Sequence, residues 1–376
     1  MNKEQHPGLY LHVPFCRSKC RYCDFYSVAS LASVPAWLNA VKREMLLYKE
    51  KFPRFDSLYL GGGTPSVLDE RDLALLLERV FENFAFCPGS EMSMEANPDS
   101  LTEDKLRTVK DLGINRISLG VQSLDDADLK YLGRIHDSKQ ALKALDTTRS
   151  GGFANVSVDL MYGLETQNLP GWKKTVDRIL EFRPEHISCY QLSFEKGSPL
   201  WKMKEAGKVR PIGEKLQSAF FIWTSRYLGR HGYYHYEISN FANVADGRKM
   251  TCRHNQKYWR HVPYLGLGPS AHSFQAGSRW WNVKSINKYC QRLEEGEMPV
   301  EGSEVLTREQ LELESLDLGL RTREGVDLHA PGGGLRNAKA LEELRKSGLV
   351  KVSNGRIQPT RKGFLVADSL PLMFYG

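Results

Sequence analysis

The chain has 376 residues, of which 41% are hydrophobic and 26% charged, and its 52 basic and 45 acidic side chains leave a net charge of +7. These proportions are ordinary for soluble globular proteins, and the basic residues are spread along the chain, so they are only weak evidence for an anionic partner. The N-terminus has no apolar leader, and no segment approaches about 18 uninterrupted apolar residues. We therefore expect a cytoplasmic protein with at most peripheral membrane contact.

Three of the seven cysteines lie close together near the N-terminus. Cys16, Cys20 and Cys23 have the spacing C-x3-C-x2-C and follow a strand-like apolar run. A 4Fe-4S cluster bound by three thiolates instead of four keeps one iron free for a small molecule. The alternatives are three chance thiols, or a zinc site that lacks a ligand, although zinc motifs usually come as two separated pairs.

Up to about residue 200, short β-rich runs alternate with longer amphipathic runs. This alternation predicts parallel strands joined by helical crossovers. Asp69 is predicted to cap the second helix, while Ser100 and Glu103 are predicted to form a capping box on the third, which ends at Gly113. The predicted strands cover residues 8–13, 57–60, 91–95, 116–119, 156–160 and 186–192, and the predicted helices cover about 33–50, 69–84, 101–112, 137–151 and 168–182.

The fold expected from this pattern is α/β, with a partial (β/α)6 barrel over residues 1–200. A barrel is favoured over an open sheet because polar residues recur at the C-terminal ends of the predicted strands, where barrels build their sites. Residues 201–302 are expected to extend the barrel. Within them the stretch from Tyr227 to Trp281 is rich in aromatic residues without a clear period, and we expect long packed loops with a few strands there.

Residues 303–376 predict a small winged-helix-like domain. Helical runs at 307–320 and 337–347 precede a hairpin with an Asn354-Gly355 turn, and a further helix is expected from Thr360. Winged helices often bind DNA, but the same shape also serves as a packing module. Because Glu342 and Glu343 lie in the helix that would meet DNA, no nucleic-acid partner is expected.

Polar and glycine residues end the predicted strands of the barrel. The second strand ends in Gly61-Gly62-Gly63-Thr64-Pro65, where the missing side chains would let backbone groups approach a polar ligand, although a tight turn needs the same residues. Glu95, Gln122 and Asp159 fall at or near the ends of the next three strands. Such residues converge at the mouth of a barrel, so together they predict a binding site.

With these motifs the sequence resembles the radical S-adenosylmethionine (radical SAM) superfamily. The cysteine spacing and the GGGTP turn carry the resemblance. The fuller set resembles the branch that contains the oxygen-independent coproporphyrinogen III oxidases (HemN) and the heme chaperones HemW, over nearly the whole chain. In this superfamily the free iron of the cluster is chelated by the amino and carboxylate groups of SAM, and an electron from the cluster can cleave SAM to a 5'-deoxyadenosyl radical.

The resemblance implies a set of cofactor-binding residues, and it implies no catalytic residue beyond them. Cys16, Cys20 and Cys23 would bind the 4Fe-4S cluster. The implied SAM contacts are Tyr10, Gly62 and Glu95 at one site, Gly63, Thr64, Gln122, Arg134 and Asp159 around a second SAM as in the oxidase, Tyr22 at a matching aromatic position, and His272 in a more distant segment.

Two positions separate the branches. Phe25 occupies the position where the oxidase has a fourth cysteine, and residues 254–259 match the HNxxYW signature of HemW. The signature implies that His254 binds heme iron, with Asn255 beside it, since neutral imidazole is a common ligand of heme iron. Tyr258 and Trp259 offer flat apolar surface for a porphyrin.

The physical reading of this segment leaves alternatives open. Arg253, Lys257 and Arg260 could pair with heme propionates. Equally, His254 could form hydrogen bonds within a loop while the aromatic side chains pack into the core. Cys252 and His261 are nearby alternative ligands.

The whole pattern predicts a heme chaperone rather than an enzyme. Its cofactors would be a 4Fe-4S cluster, SAM and heme, and its partners would be heme donors and the heme-accepting cytochromes of the respiratory chain, with a homodimer also compatible with the resemblance. The alternative is an oxygen-independent coproporphyrinogen III oxidase, which converts propionates to vinyls by radical decarboxylation.

Overall fold

The first half of the chain alternates strands with helices. The computed structural model describes residues 5–245, 247–328 and 338–375. All six predicted strands and all five predicted helices of this half are present, and the short α4 is additional. The elements are β1 (Gly8–Val13), α1 (Val34–Tyr48), β2 (Phe55–Gly62), α2 (Glu70–Asn83), β3 (Phe86–Ala96), α3 (Glu103–Asp111), β4 (Arg116–Gln122), α4 (Asp126–Leu132), α5 (Ser138–Ser150), β5 (Val156–Tyr162), α6 (Leu169–Glu181) and β6 (His186–Gln191).

Strands β1 to β6 lie side by side in chain order, and each pairs in parallel with the next. Because every crossover returns the chain to the same end of the sheet, the C-terminal ends of all six strands lie together. This is the arrangement that the predicted partial barrel requires, and it gathers the loops after the strands at one mouth.

The two faces of the barrel strands differ in polarity. On β1, Leu9, Leu11 and Val13 are buried among the apolar side chains under the helices, while Tyr10 and His12 point to the opposite, interior face. Successive strand residues alternate between faces, so the same rule places a polar set in the barrel interior. That set includes Ser57, Tyr59, Glu91, Ser93, Glu95, Arg116, Ser118, Ser157, Asp159, His186 and Ser188.

The aromatic-rich extension continues the sheet beyond both edge strands of the barrel. β10 (Tyr264–Leu267) pairs in parallel with β1, and β8 (Asn240–Ala245) pairs antiparallel with β6. The expectation of long loops with a few strands between Tyr227 and Trp281 was wrong for much of that stretch, because short strands follow one another closely there and a helix lies among them. The elements are α7 (Pro199–Glu205), α8 (Glu214–Arg230), β7 (Tyr233–Glu237), β8 (Asn240–Ala245), β9 (Arg248–Lys249), α9 (Arg253–Trp259), β10 (Tyr264–Leu267), β11 (His272–Gln275), β12 (Ser278–Asn282), α10 (Ile286–Glu294) and β13 (Val300–Val305).

The C-terminal part forms a winged-helix-like module with a core of its own. Asn354 and Gly355 both have positive φ values, 52° and 69°, as the predicted hairpin turn requires. Residues 335–337 of the predicted DNA-facing helix lie outside the described residues. The elements are α11 (Arg308–Leu320), β14 (Val326–Asp327), α12 (Ala338–Lys346), β15 (Val350–Ser353), β16 (Arg356–Pro359), α13 (Arg361–Phe364) and α14 (Leu372–Tyr375), with strand order β14-β16-β15.

Two of the three predicted cap positions are confirmed. The Asp69 side chain accepts a hydrogen bond from the Asp72 N–H, and Gly113 follows α3 with a φ of 99°. The predicted capping box at Ser100 was wrong, because Thr102 caps α3 by accepting from the Lys105 N–H. The Ser100 hydroxyl is instead buried against the Ser66 hydroxyl at 2.7 Å.

The apolar core follows from these layers. One large cluster fills the space between the sheet and its surrounding helices, with Trp37, Met45 and Trp172 among its largest buried side chains, and a smaller one lies inside the C-terminal module. In the parts of the chain that the structure describes, no helix combines the length and apolar character needed to cross a membrane. The division at residues 200 and 302 stays a prediction.

Candidate functional site

The cysteine loop (residues 16–23) follows β1 at the C-terminal mouth of the barrel. The Cys16 N–H donates to the Val28 carbonyl at 3.0 Å, and the Cys23 N–H donates to the Cys20 carbonyl at 3.3 Å. Cys16, Cys20 and Cys23 are free and half-buried. The loop therefore presents three thiols from a backbone that is fixed at both ends.

Two donors point at the sulfur atoms of this loop. Thr64 Oγ1 donates to Cys16 Sγ at 3.4 Å, and Arg134 Nη1 donates to Cys20 Sγ at 3.3 Å. Burial raises the pKa of the Cys23 thiol to about 11, so a neighbouring positive charge is needed to favour thiolates. Three soft ligands beside a guanidinium fit an iron-sulfur cluster, whose net charge is negative when thiolates bind it. Among the described residues, no three His, Cys, Asp or Glu side chains are placed to hold a single metal ion.

The glycine turn (residues 61–65) is joined to the base of the cysteine loop. The Gly63 N–H donates to the Val13 carbonyl at 2.9 Å, and the Thr64 N–H donates to the Phe15 carbonyl at 2.7 Å. A Cβ at Gly63 would lie within 2.7 Å of both carbonyl oxygens, so only glycine fits there. The cysteine loop and the glycine turn are therefore held together as one rigid unit.

Glu95 lies half-buried at the end of β3, next to this turn. Its Oε1 accepts a hydrogen bond from the Tyr59 hydroxyl at 2.8 Å. Burial raises the pKa of Glu95 to about 7, although hydrogen bonds from Tyr59 and from the Gly62 N–H oppose the shift. Tyr10 lies nearby with its ring stacked on Tyr59, centroids 6.3 Å apart. Three implied SAM contacts, Tyr10, Gly62 and Glu95, are thus brought together around Tyr59.

Most residues implied for a second SAM also converge. Arg134 Nη2 donates to the Gly120 carbonyl at 2.8 Å and to Asn97 Oδ1 at 2.7 Å, while Asn97 Nδ2 donates to Thr64 Oγ1 at 3.1 Å. Gln122 Nε2 lies beside the same Gly120, 3.0 Å from where a Cβ would be. A cleft opens here, lined by Arg17, Ser18, Cys20, Thr64, Asn97, Asp99, Gly133, Arg134 and Ile135.

The remaining implied SAM contacts lie in different surroundings. Asp159 is in the barrel interior and accepts from the Ser118 hydroxyl at 3.2 Å. Tyr22 packs against an apolar cluster that includes Leu132. His272 is exposed on β11, where its ring stacks on Trp281 with centroids 6.0 Å apart. Its backbone lies against Gly266, which pairs with Tyr10 of β1.

His254 is part of helix α9, which covers the opposite end of the barrel. The imidazole has 0% exposure. Its Nδ1 lies 3.0 Å from the Ser57 hydroxyl, and its Nε2 lies 3.0 Å from the Tyr258 hydroxyl. Burial lowers the pKa of His254 to about 3, so the ring is neutral at physiological pH. In this conformation both ring nitrogens are engaged in hydrogen bonds.

Polar contacts fasten α9 to the N-terminal ends of the barrel strands. Glu91 of β3 accepts from the Arg253 N–H at 3.0 Å and from the His254 N–H at 3.1 Å, which satisfies the start of the helix. Near its other end, the buried Lys257 forms an ion pair with Asp56 at 2.5 Å. A Cβ at Gly8, the first residue of β1, would lie 2.7 Å from the Lys257 side chain.

The other residues of the HNxxYW segment have defined partners. The Tyr258 ring packs edge-on to Tyr264, with centroids 4.6 Å apart, and the Trp259 ring packs edge-on to Tyr236 at 5.8 Å. Asn255 is only half-buried. The first alternative ligand, Cys252, is fully buried.

The second alternative ligand and the basic residues lie nearer the surface. His261 Nδ1 lies 3.1 Å from the Ser315 hydroxyl. Of the residues considered for propionates, Arg260 pairs with Glu324 at 2.6 Å, while Arg253 Nη1 donates to the Gly89 carbonyl at 3.1 Å. Lys257 is held by the ion pair at the barrel.

Several residues of the site were not predicted from the sequence. Ser57, Tyr59 and Glu91 face the barrel interior, and Asn97 bridges Arg134 and Thr64. The alternation of polar residues along β2 and β3 was the available signal for the first three. A polar residue at every second position of a buried strand indicates an interior that holds something other than apolar core.

Comparison with known proteins agrees with this geometry. The Radical SAM superfamily matches residues 10–179 and the HemN C-terminal domain matches residues 306–366. The heme chaperone HemW of Mycobacterium tuberculosis is 34% identical over 369 residues, which cover 96% of this chain and 93% of that protein. HemW of Bacillus subtilis is 33% identical, covering 98% of both chains. The mitochondrial radical S-adenosyl methionine domain-containing protein 1 of Bos taurus is 31% identical, covering 98% of this chain and 87% of that protein.

A solved structure has the same architecture. Coproporphyrinogen III oxidase (HemN) of Escherichia coli, described as a radical SAM enzyme, aligns with a TM-score of 0.83 and 24% identity, covering 98% of this chain and 90% of that chain. This likeness confirms the predicted fold, a radical SAM barrel with a HemN-type C-terminal domain. Because the sequence identity is only 24%, the likeness shows the fold and not the function. The sequence identity to the HemW proteins is higher, at 33–34% over nearly the full length of both chains. The chain therefore belongs to the HemW family of the radical SAM superfamily.

Proposed function

We propose that this protein is a heme chaperone that binds heme at α9 and delivers it to cytochromes of the respiratory chain, at the membrane surface where these acceptors lie. The observation that supports this most directly is the HNxxYW segment, which forms a separate helix across one end of the barrel. The relatives from Mycobacterium tuberculosis and Bacillus subtilis, which match over nearly the full length, are named heme chaperones.

The cofactor site at the other end would hold a 4Fe-4S cluster and SAM. Cys16, Cys20 and Cys23 supply three thiolates, and Arg134 places its positive charge beside Cys20. A cluster with one open iron supplies an electron and a position for the amino and carboxylate groups of SAM. Glu95 and the glycine turn would bind the cationic and polar parts of that ligand, because both lie next to the cysteine loop.

Heme binding at His254 requires a local rearrangement of α9. The ring is neutral, which is the form that binds iron, but each nitrogen is engaged with a hydroxyl. Freeing Nε2 breaks one hydrogen bond with Tyr258, and this costs about 0.5–1.5 kcal/mol. Because the imidazole is fully buried, the helix must also move outward before a porphyrin can reach it.

The alternative, a coproporphyrinogen oxidase, is less well supported. Phe25 stands where the oxidase has a fourth cysteine, and its ring is 66% exposed at the surface near the cysteine loop. The function of the fold in this chain would therefore be to bind the cofactors and regulate heme transfer.

The decisive experiment is a heme titration and a coproporphyrinogen III turnover assay on one anaerobically reconstituted sample. In the wild type we expect a Soret band that grows as heme is added. In His254→Ala the dissociation constant for heme should rise at least tenfold, because losing about 1.4 kcal/mol of binding free energy raises the constant tenfold. His231→Ala, which removes an exposed histidine at the end of α8, is the matched control. A spectrum that heme leaves unchanged, or formation of protoporphyrinogen IX, would contradict the proposal.

A further inference from the structure

Tyr59 of β2 contacts both proposed sites. Its hydroxyl donates to Oε1 of Glu95 at 2.8 Å, and its ring stacks on the imidazole of His254 with centroids 5.3 Å apart and 27° between the ring planes. Glu95 belongs to the proposed SAM site, and His254 is the proposed heme ligand. A single side chain therefore spans the barrel interior between the two ends of the molecule.

Close packing holds Tyr59 in this position. A Cβ at Gly61, two residues further along the same strand face, would lie 2.9 Å from Tyr59 Cε1 and 3.2 Å from Glu95 Cδ, so the two side chains fill the space beside the strand. On the preceding position of that face, the Ser57 hydroxyl lies 3.0 Å from His254 Nδ1. Interiors packed this closely switch between discrete arrangements instead of deforming smoothly. A displacement of Glu95 or of His254 must therefore also displace Tyr59.

We propose that Tyr59 is a positioning residue that couples the two sites, so that SAM binding next to Glu95 strengthens heme binding at His254. This inference rests on the proposed function. It adds a route by which the cofactor end of the barrel regulates the heme end.

The sign of the coupling follows from the contacts. A cationic amino group beside Glu95 competes with the Tyr59 hydroxyl for the carboxylate. Once Tyr59 loses this hydrogen bond, the Tyr59 ring no longer holds the His254 imidazole against the hydroxyls of Ser57 and Tyr258. Less free energy is then needed to turn a nitrogen of the imidazole toward iron. A ligand changes a distant affinity only through contacts that differ between the two states, and here Tyr59 supplies them. Linkage is reciprocal, so heme should tighten SAM binding by the same factor.

The test is a heme titration of the full-length protein with reconstituted cluster, followed by the Soret band, without SAM and with saturating SAM. In the wild type, SAM should lower the heme dissociation constant at least about fivefold. Tyr59→Phe keeps the ring but cannot donate to Glu95. Its heme dissociation constant without SAM should match the wild-type value with SAM, and added SAM should change it less than about twofold.

Tyr48→Phe is the matched control, because the Tyr48 hydroxyl accepts from Trp280 Nε1 at 2.9 Å outside both sites. It should keep the wild-type coupling. An unchanged or raised dissociation constant for heme in the wild type with SAM would overturn the inference, and so would full coupling in Tyr59→Phe.

Direct SAM binding, measured by equilibrium dialysis on the same samples, distinguishes a failure of the Tyr59 coupling from a failure of the proposed function. If the wild type binds both ligands independently of each other, the role of Tyr59 is wrong while the proposed function stands. If the wild type does not bind heme at all, the proposed function is wrong, and so is the proposed coupling. Cluster absorbance equal to that of the wild type shows that Tyr59→Phe is folded.

Discussion

Burial sets the chemistry of the individual polar groups that face the barrel interior. Glu95 has a pKa of about 7 because desolvation of its carboxylate outweighs two hydrogen bonds. Burial also lowers the pKa of His12 to about 4 and that of His254 to about 3. Near neutral pH, the histidines are therefore uncharged, while Glu95 is the group whose charge changes.

Binding of SAM should depend on pH through Glu95. Below pH about 7 the carboxyl is protonated and neutral, and above it the carboxylate attracts a cationic amino group, so affinity should rise with pH. We expect about tenfold tighter binding at pH about 8 than at pH about 6, measured by calorimetry on the cluster-loaded protein. Glu95→Gln should bind more weakly and show little pH dependence. Equal wild-type affinities at the two pH values would contradict the role of Glu95.

At this scale, sequence motifs predicted the residues that gather at the proposed SAM site better than the residues that hold them in place. Gly62 and Glu95 end strands in a recognisable order, and the structure brings them together. Tyr59 and Asn97 act through partners more than 30 residues away in the chain, Glu95 and Arg134 respectively. Such contacts depend on the register between strands and on the turns that follow them, and neither is readable from one sequence.

Among the elements, α9 depends most on its surroundings. It has seven residues, which is too short for an independently stable helix. Its N-cap residue, Cys252, provides no side-chain cap, and Glu91 takes over this role from β3. The helix is therefore fixed by the barrel and should open locally when those contacts weaken.

Replacing Glu91 should loosen α9 without unfolding the barrel. Glu91→Gln removes the negative charge from the start of the helix, at a cost of about 1–2 kcal/mol. Amide hydrogen exchange of the α9 peptide, followed by mass spectrometry, then serves as the reporter, and its rate should rise about tenfold or more. Glu103→Gln, which changes an exposed carboxylate on α3, is the control and should not change the rate. Unchanged exchange of the α9 amides in Glu91→Gln would show that Glu91 does not hold α9.

The same features explain why α9 was not predicted. Its buried residues include His254 and Lys257, so the inward face is polar and no apolar stripe of helical period marks it. The longer α8 is obscured differently, since Trp223 and Tyr227 add aromatic residues to its partly buried side. By contrast, α2 has a regular apolar face and a cap at Asp69, and its limits were predicted to within about two residues.

The described residues form three apolar clusters, and the one inside the C-terminal module is separate from the large one, into which Phe364 of α13 packs. The C-terminal module is linked to the rest through the Arg361 side chain, whose Nε donates to the Ser225 hydroxyl at 2.7 Å, and through the Arg323 N–H, which donates to the Tyr236 carbonyl at 2.8 Å. The Arg260–Glu324 ion pair places the module beside the end of α9. A module with an apolar core of its own should unfold with limited cooperativity.

A cavity in the smaller core should therefore affect mainly the C-terminal module. Leu344 is fully buried there, and Leu344→Ala should destabilise the module by about 2–5 kcal/mol. We expect a separate transition at lower temperature in calorimetry, with cluster absorbance retained through it. Leu77→Ala, the matching change in the large core, should lower the main transition instead. One common transition that shifts equally in both variants would show that the two cores unfold together.

The helix across the amino ends of the strands and the cysteine loop at their carboxyl ends place the proposed heme site and the proposed cofactor site at opposite poles of the barrel. Under the proposed function, an electron donor would dock at the cysteine pole, whereas a heme acceptor would dock at the pole formed by α9 and the C-terminal module. The two proteins could then be bound at the same time. Electron supply and heme transfer would depend on separate encounters, and the barrel interior would be the link between them.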